Sequence, residues 1–166
     1  MDIALRVAQE SHAVRKKVGG VLVNDTDIIS YGWNGTPAGD DNGCECVNDD
    51  GTLTTKPEVL HAETNLFMKL LARGRGISTS GATLYMTLSP CPDCCKLIKQ
   101  ADIHRVVYFE EYRDSTGIKF LQDRGVSVEK YDSLYGDFNE HVHKISDGSV
   151  TGINAGIDAR NFYRES

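Results

Sequence analysis

Two short segments thirty positions apart restrict what this chain can fold into: His61-Ala62-Glu63 and Pro90-Cys91-Pro92-Asp93-Cys94 each open a predicted helix, with one strand between them. In an α/β layout such helix starts face each other at one end of a sheet, which gathers one imidazole and two thiols around a point. Three N/S ligands with a fourth position left to water is the arrangement of a catalytic Zn²⁺ site. The positive helix ends also favour the thiolate forms of Cys91 and Cys94. Glu63 stands where a carboxylate reaches the metal-bound water without ligating the ion. Zinc lowers the pKa of such a water to about 7, and the carboxylate takes the proton and returns it to a leaving group. The competing reading is a closed structural site whose fourth ligand is Cys95, Cys44 or Cys46. Cys95 adjoins Cys94 on a helix and would point away from it, as a core thiol.

The rest of the chain supplies the sheet. Ile3, Ala4, Val7 and Ala8 at helical spacing predict an amphipathic helix over 1–17 that ends in Arg15-Lys16-Lys17. Val18 to Val23 and Ile28 to Trp33 flank Asn24-Asp25-Thr26-Asp27 and predict a hairpin. Residues 34–57 carry Gly, Asp, Asn, Thr and Pro with few aliphatics and read as a long loop, of a length that is usually functional or disordered. Leu60, Leu66, Phe67, Leu70 and Leu71 predict a helix closing at Gly74. Strand Ala82–Leu88, helix Pro92–Ala101, strand Arg105–Phe109, helix Thr116–Arg124 and strand Val126–Tyr131 complete an α/β layout with the sheet covered on both faces. Residues 132–166 give only a short helix near Phe138 and an irregular tail.

The whole is 166 residues, enough for one domain with its own core. Met1 runs straight into Asp2 and a mixed helix, and no long uncharged apolar run follows, so neither a membrane span nor a secretory leader is expected. A net charge of −6 argues against long DNA or RNA as partner and leaves room for a small anion in a local cationic pocket. Five cysteines in two tight clusters suit metal ligation in a reducing cytosol.

Gly32-Trp33-Asn34-Gly35-Thr36-Pro37, then His61-Ala62-Glu63-Thr64-Asn65, then Leu88-Ser89-Pro90-Cys91-Pro92-Asp93-Cys94-Cys95-Lys96, resembles the deoxycytidylate (dCMP) deaminases, particularly those of phages. H-x-E followed by P-C-x-x-C is a known signature of zinc nucleobase deaminases. The resemblance covers about residues 1–131, a deaminase domain of which 132–166 would be an extension. It implies a cytidine-deaminase-like three-layer α/β/α sandwich around a five-stranded mixed sheet. It also implies hydrolysis of dCMP to dUMP and ammonia, with attack by a zinc-bound hydroxide and Glu63 as proton shuttle. Carried over by position, Asn34 would bind the deoxyribose, the backbone at Leu88 and Ser89 the base edge, and Tyr112 would lie near the 5′-phosphate. Arg15, Lys17 and Arg113 are the cations nearest the predicted strand ends, and each also reads as a solvated surface charge.

Members of this type are hexamers activated by dCTP and inhibited by dTTP, usually with Mg²⁺. Gly32, Trp33, Gly35, Lys69 and Arg73 are the corresponding effector-site candidates, although Trp33 also reads as a half-buried aromatic at a strand end. Cys44 and Cys46 with Glu58 could hold a second, structural zinc, with His12 as an additional candidate. His104, His141 and His143 have no partner pattern. The protein is expected in the cytoplasm, that of the host if a phage encodes it. The alternatives are a deaminase of cytidine, dCTP or a base in tRNA or single-stranded DNA, and a zinc-stabilised binding module without turnover. A polynucleotide editor should carry a basic channel, against which the acidic balance speaks.

Overall fold

The computed structural model describes residues 1–131 apart from Arg73 and Arg75. In chain order these form α1 (Asp2–Ala8), β1 (Gly19–Asn24), β2 (Asp27–Trp33), β3 (Glu45–Val47), β4 (Leu53–Thr55), α2 (Ala62–Ala72), β5 (Thr83–Leu88), α3 (Pro92–Gln100), β6 (Arg105–Glu110), α4 (Thr116–Gln122) and β7 (Ser127–Lys130). A five-stranded mixed sheet runs β2-β1-β5-β6-β7, and β3 and β4 make a separate two-stranded hairpin. β1 is antiparallel to both β2 and β5, while β5, β6 and β7 are mutually parallel. The carboxyl ends of β2, β5, β6 and β7 therefore share one edge of the sheet.

Strand registers fix which helix covers which face. Gly20 pairs with both Gly32 and Met86, and Leu22 pairs with Leu84, so these residues share one face. That face packs on α2, α3 and α4 in a single core holding Leu22, Leu66, Leu84, Met86, Ile98, Val106 and Leu121. Each such side chain, fully buried, contributes about 1.5–3 kcal/mol. Gly19 points the opposite way, onto α1, whose buried Ala4 and Ala8 meet the other face. The helices lie so close that a Cβ on Gly19 would stand 2.5 Å from the Ala8 amide nitrogen, and one on Gly32 2.6 Å from the Ala62 carbonyl oxygen. The expected α/β/α layering is present.

Two expectations are corrected. The first helix stops at Ala8 instead of reaching residue 17. Ser11 is buried, its hydroxyl donates to the Asn34 carbonyl and accepts the Ala13 amide, and this local bonding takes the backbone out of the helix. The segment 34–57 is not structureless: it holds the β3–β4 hairpin, closed by Asn48 side-chain bonds to Thr52 and Thr54. The short helix expected near Phe138 lies outside the described residues. No helix among the described residues is long and apolar enough to cross a membrane.

Candidate functional site

The loop after β5 delivers Cys91 to the N-cap of α3, with Pro92 locked into the first helical position and Cys94 in the first turn. His61 immediately precedes α2, which abuts the end of β2 through Gly32. His61 Nδ1 lies 3.4 Å from Cys91 Sγ and 3.4 Å from Cys94 Sγ, and the three donor atoms fall within 4.8 Å of one another. A tetrahedron with zinc–nitrogen and zinc–sulfur bonds of about 2.0 and 2.3 Å has an N···S edge of about 3.5 Å, so this donor set fits a zinc ion. Exposure falls across the cluster, from exposed His61 through half-buried Cys91 to buried Cys94. The Cys94 thiol and the His61 ring bond to Cys91 and hold its thiol down to about 4, whereas the bond to Cys91 and burial push Cys94 up. The bond to Cys91 likewise raises His61.

Glu63, in the first turn of α2, is 4% exposed and lies beside the Cys94 thiol. Burial is the main cause that raises its carboxyl above the usual range. A proton-exchanging group therefore sits against the donor set without being one of the three converging ligands.

His61, Glu63 and Cys91 line a cleft of about 550 Å³, with Cys94 buried behind them. Of the expected substrate-side residues, Asn34, Leu88, Ser89, Tyr112, Arg15 and Arg113 line it. Lys17 does not; its amine lies 3.4 Å from the Gln9 carbonyl, and the lining residue is Lys16, paired with Glu110 across the cleft. Asn34 accepts the Val18 amide at 2.8 Å and donates to the Lys16 carbonyl at 3.0 Å, so its side chain braces the segment before β1. Ser89 Oγ accepts the Tyr112 amide, and the Ser89 amide bonds to the Glu110 carbonyl. Arg113 lies over the Tyr112 ring, 5.7 Å from its centroid.

A model of the cytidine and deoxycytidylate deaminase zinc-binding region matches residues 1–110. The chain belongs to this family. It is 36% identical over 149 residues to the deoxycytidylate deaminase of Enterobacteria phage T4, covering 68% of this chain and 76% of that one. The deoxycytidylate deaminase of Pongo abelii is 35% identical over 147 residues, covering 79% of this chain and 76% of its own. The crystal structure of the dCMP deaminase from cyanophage S-TIM5 in complex with dCMP and dUMP is 44% identical with a TM-score of 0.71, covering 78% of this chain and 92% of that one. The site is thus that of a zinc-dependent deaminase, and the fold expectation holds.

The remaining candidates fall elsewhere. Gly32 is filled against α2, and Gly35 pairs with Leu60 through two backbone hydrogen bonds. Lys69 stands 3.4 Å above the centroid of the half-buried Trp33 ring, which stacks on Tyr31. Arg73, His141 and His143 lie outside the described residues. Among the described residues, only His61, Cys91 and Cys94 form a converging set of three or more metal-ligating side chains. Cys44 is buried with its thiol on the Asn42 carbonyl, Cys46 is exposed with its thiol on Thr54, and Glu58 and His12 are exposed, so the second-zinc set does not assemble. Cys95 is fully buried in the core and burial pushes its thiol up to about 12, as a core cysteine should be. His104 faces Asp102 at the surface.

The residues that sequence reasoning missed are Lys16, Glu45, Thr55, Glu110 and Glu111 in the cleft wall. The side-chain bonds of Lys16, Glu45, Thr55 and Glu110 in this wall span 30 or more positions of the chain. Their local sequence carries no sign of such contacts.

Proposed function

We propose that the protein hydrolyses dCMP to dUMP and ammonia, with Glu63 as the acid–base group. The observation that carries this reading is a buried carboxyl set against a His/Cys/Cys donor set of which His61 and Cys91 open onto a cleft. The choice of dCMP is supported by the phage and animal relatives and by the similar solved structure with dCMP and dUMP. A Zn²⁺ held by His61, Cys91 and Cys94 would supply a water acidified to a pKa near 7. Water oxygen bonds to C4 of the cytosine and the C4–N4 bond breaks. Glu63 carries the first water proton to N3 and the second to N4, which leaves as ammonia. Its raised proton affinity suits it to both transfers.

In this reading the spare amide hydrogen of Asn34 meets the deoxyribose, the backbone at Leu88 and Ser89 borders the base, and Tyr112, Arg15 and Arg113 face the 5′-phosphate. Action in the cytoplasm, assembly as a hexamer and control by dCTP and dTTP with Mg²⁺ belong to the same proposal and rest on the resemblance. A rate profile flat against added dCTP and dTTP removes the regulation, and sedimentation tests the assembly. The reading as a whole is tested by measuring product from cytidine, CMP, dCMP and dCTP. It requires dCMP to be the best of the four.

A further inference from the structure

We infer that the β3–β4 hairpin positions Arg15, and through it the substrate's 5′-phosphate; the inference rests on the reading above that the substrate carries one. Glu45 and Thr55 are directly opposite each other in the hairpin register. Glu45 Oε1 accepts the Val14 and Arg15 amides at 3.0 and 3.1 Å, and Arg15 Nη1 donates to Thr55 Oγ1 at 2.9 Å. One cross-strand pair thus holds both the backbone and the guanidinium of a single residue, and all three line the cleft. The segment that carries Arg15 is tied at its other side by Ser11 and Asn34. Both its ends being fixed, the direction of the guanidinium is set by the hairpin.

An arginine presents five N–H donors in a planar fork, and among the described residues only Thr55 takes one. Among the described residues nothing else takes the rest of the fork, which matches the paired oxygens of a phosphate in geometry. Glu45 carries a charge that would repel such an anion, but its bound oxygen faces two amides. Its function here is to accept their hydrogen bonds, and a neutral acceptor serves equally well. Glu45 and Thr55 are therefore positioning residues and Arg15 is the group that touches the ligand.

The test compares Thr55→Val and Glu45→Ala with Thr55→Ser and Glu45→Gln, using titration calorimetry and steady-state kinetics on dCMP and deoxycytidine. Thr55→Val and Glu45→Ala should each raise the Kd and KM for dCMP roughly three- to tenfold, the net worth of one ordinary hydrogen bond, since the loss acts through Arg15 and not on the ligand directly. The values for deoxycytidine and the kcat for dCMP should not move, as expected for binding lost equally in ground and transition states. Thr55→Ser and Glu45→Gln should keep wild-type affinity for dCMP. Equal weakening for both ligands, no weakening for either, or failure of the two conservative variants to restore binding would each overturn the inference. A wild-type protein that binds dCMP no more tightly than deoxycytidine would instead defeat the phosphate reading on which it rests.

Discussion

Glu63 combines two properties that oppose each other in most carboxylates, full burial and a place at a helix N-terminus. Burial wins, and the group holds its proton more tightly than a solvated glutamate. Replacing it by glutamine keeps the shape and removes the proton acceptor, so Glu63→Gln should lower kcat by about 10²–10⁴-fold while elemental analysis still finds zinc. Cys91→Ala removes one of three ligands and should lose both metal and turnover, and a chelator should silence the wild type until Zn²⁺ is added back. These four residues were legible in the sequence because their chemistry lies in short spacings: a histidine and a glutamate two apart, and two cysteines on one helical turn. Lys16 was not legible. It enters the cleft in place of Lys17 because the backbone from Ser11 to Val18 is bent by bonds to Asn34 and Glu45, contacts made across the fold.

Two helices reach the sheet over bare backbone. A methyl group on Gly32 would collide with the Ala62 carbonyl and the Leu66 amide, neither of which can move without shifting α2 and the histidine at its start. Gly32→Ala should therefore cost about 1–3 kcal/mol in urea denaturation, whereas Gly35→Ala, whose new methyl meets only the Trp33 ring edge at 4.0 Å, should leave the midpoint nearly unchanged. At the far edge of the sheet, Arg105 on β6 holds Glu129 on β7 with two hydrogen bonds, and the guanidinium and the Ser127 hydroxyl bring that carboxyl down to about 2. A carboxyl depressed in the folded state stabilises it above the usual value of about 4.3, and that share disappears as pH falls towards about 2. Wild type should thus exceed Glu129→Gln in urea midpoint at pH 6, and the difference should close as the pH is lowered through that window. The main strands and helices were readable because apolar spacing persists over a turn or more. The β3–β4 hairpin was not, since its three-residue strands carry mostly exposed side chains and show no alternation.

On the scale of the molecule, the sheet brings the carboxyl ends of β2, β5, β6 and β7 to one edge, and the cleft sits there. That edge is the place where open α/β sheets bind ligands. The β1–β2 hairpin and the crossovers could be foreseen, but the insertion of β1 between β2 and β5 depends on pairings between distant segments, which no local pattern encodes. The chain is acidic as a whole, at −6, yet Arg15, Lys16 and Arg113 stand in the cleft wall among Glu45, Glu110 and Glu111. Attraction of an anionic nucleotide is then local and partly exposed, and added salt should raise the KM for dCMP while leaving that for deoxycytidine unchanged in the same assay. The metal-binding donors stand on helix starts braced by the core, whereas the wall is drawn from a detached hairpin, a bent linker and strand ends. If the wall reads the phosphate as proposed, base chemistry and phosphate recognition are mechanically separate, and the hairpin is the natural segment to exchange when retargeting this scaffold to pyrimidine substrates with a different phosphate count.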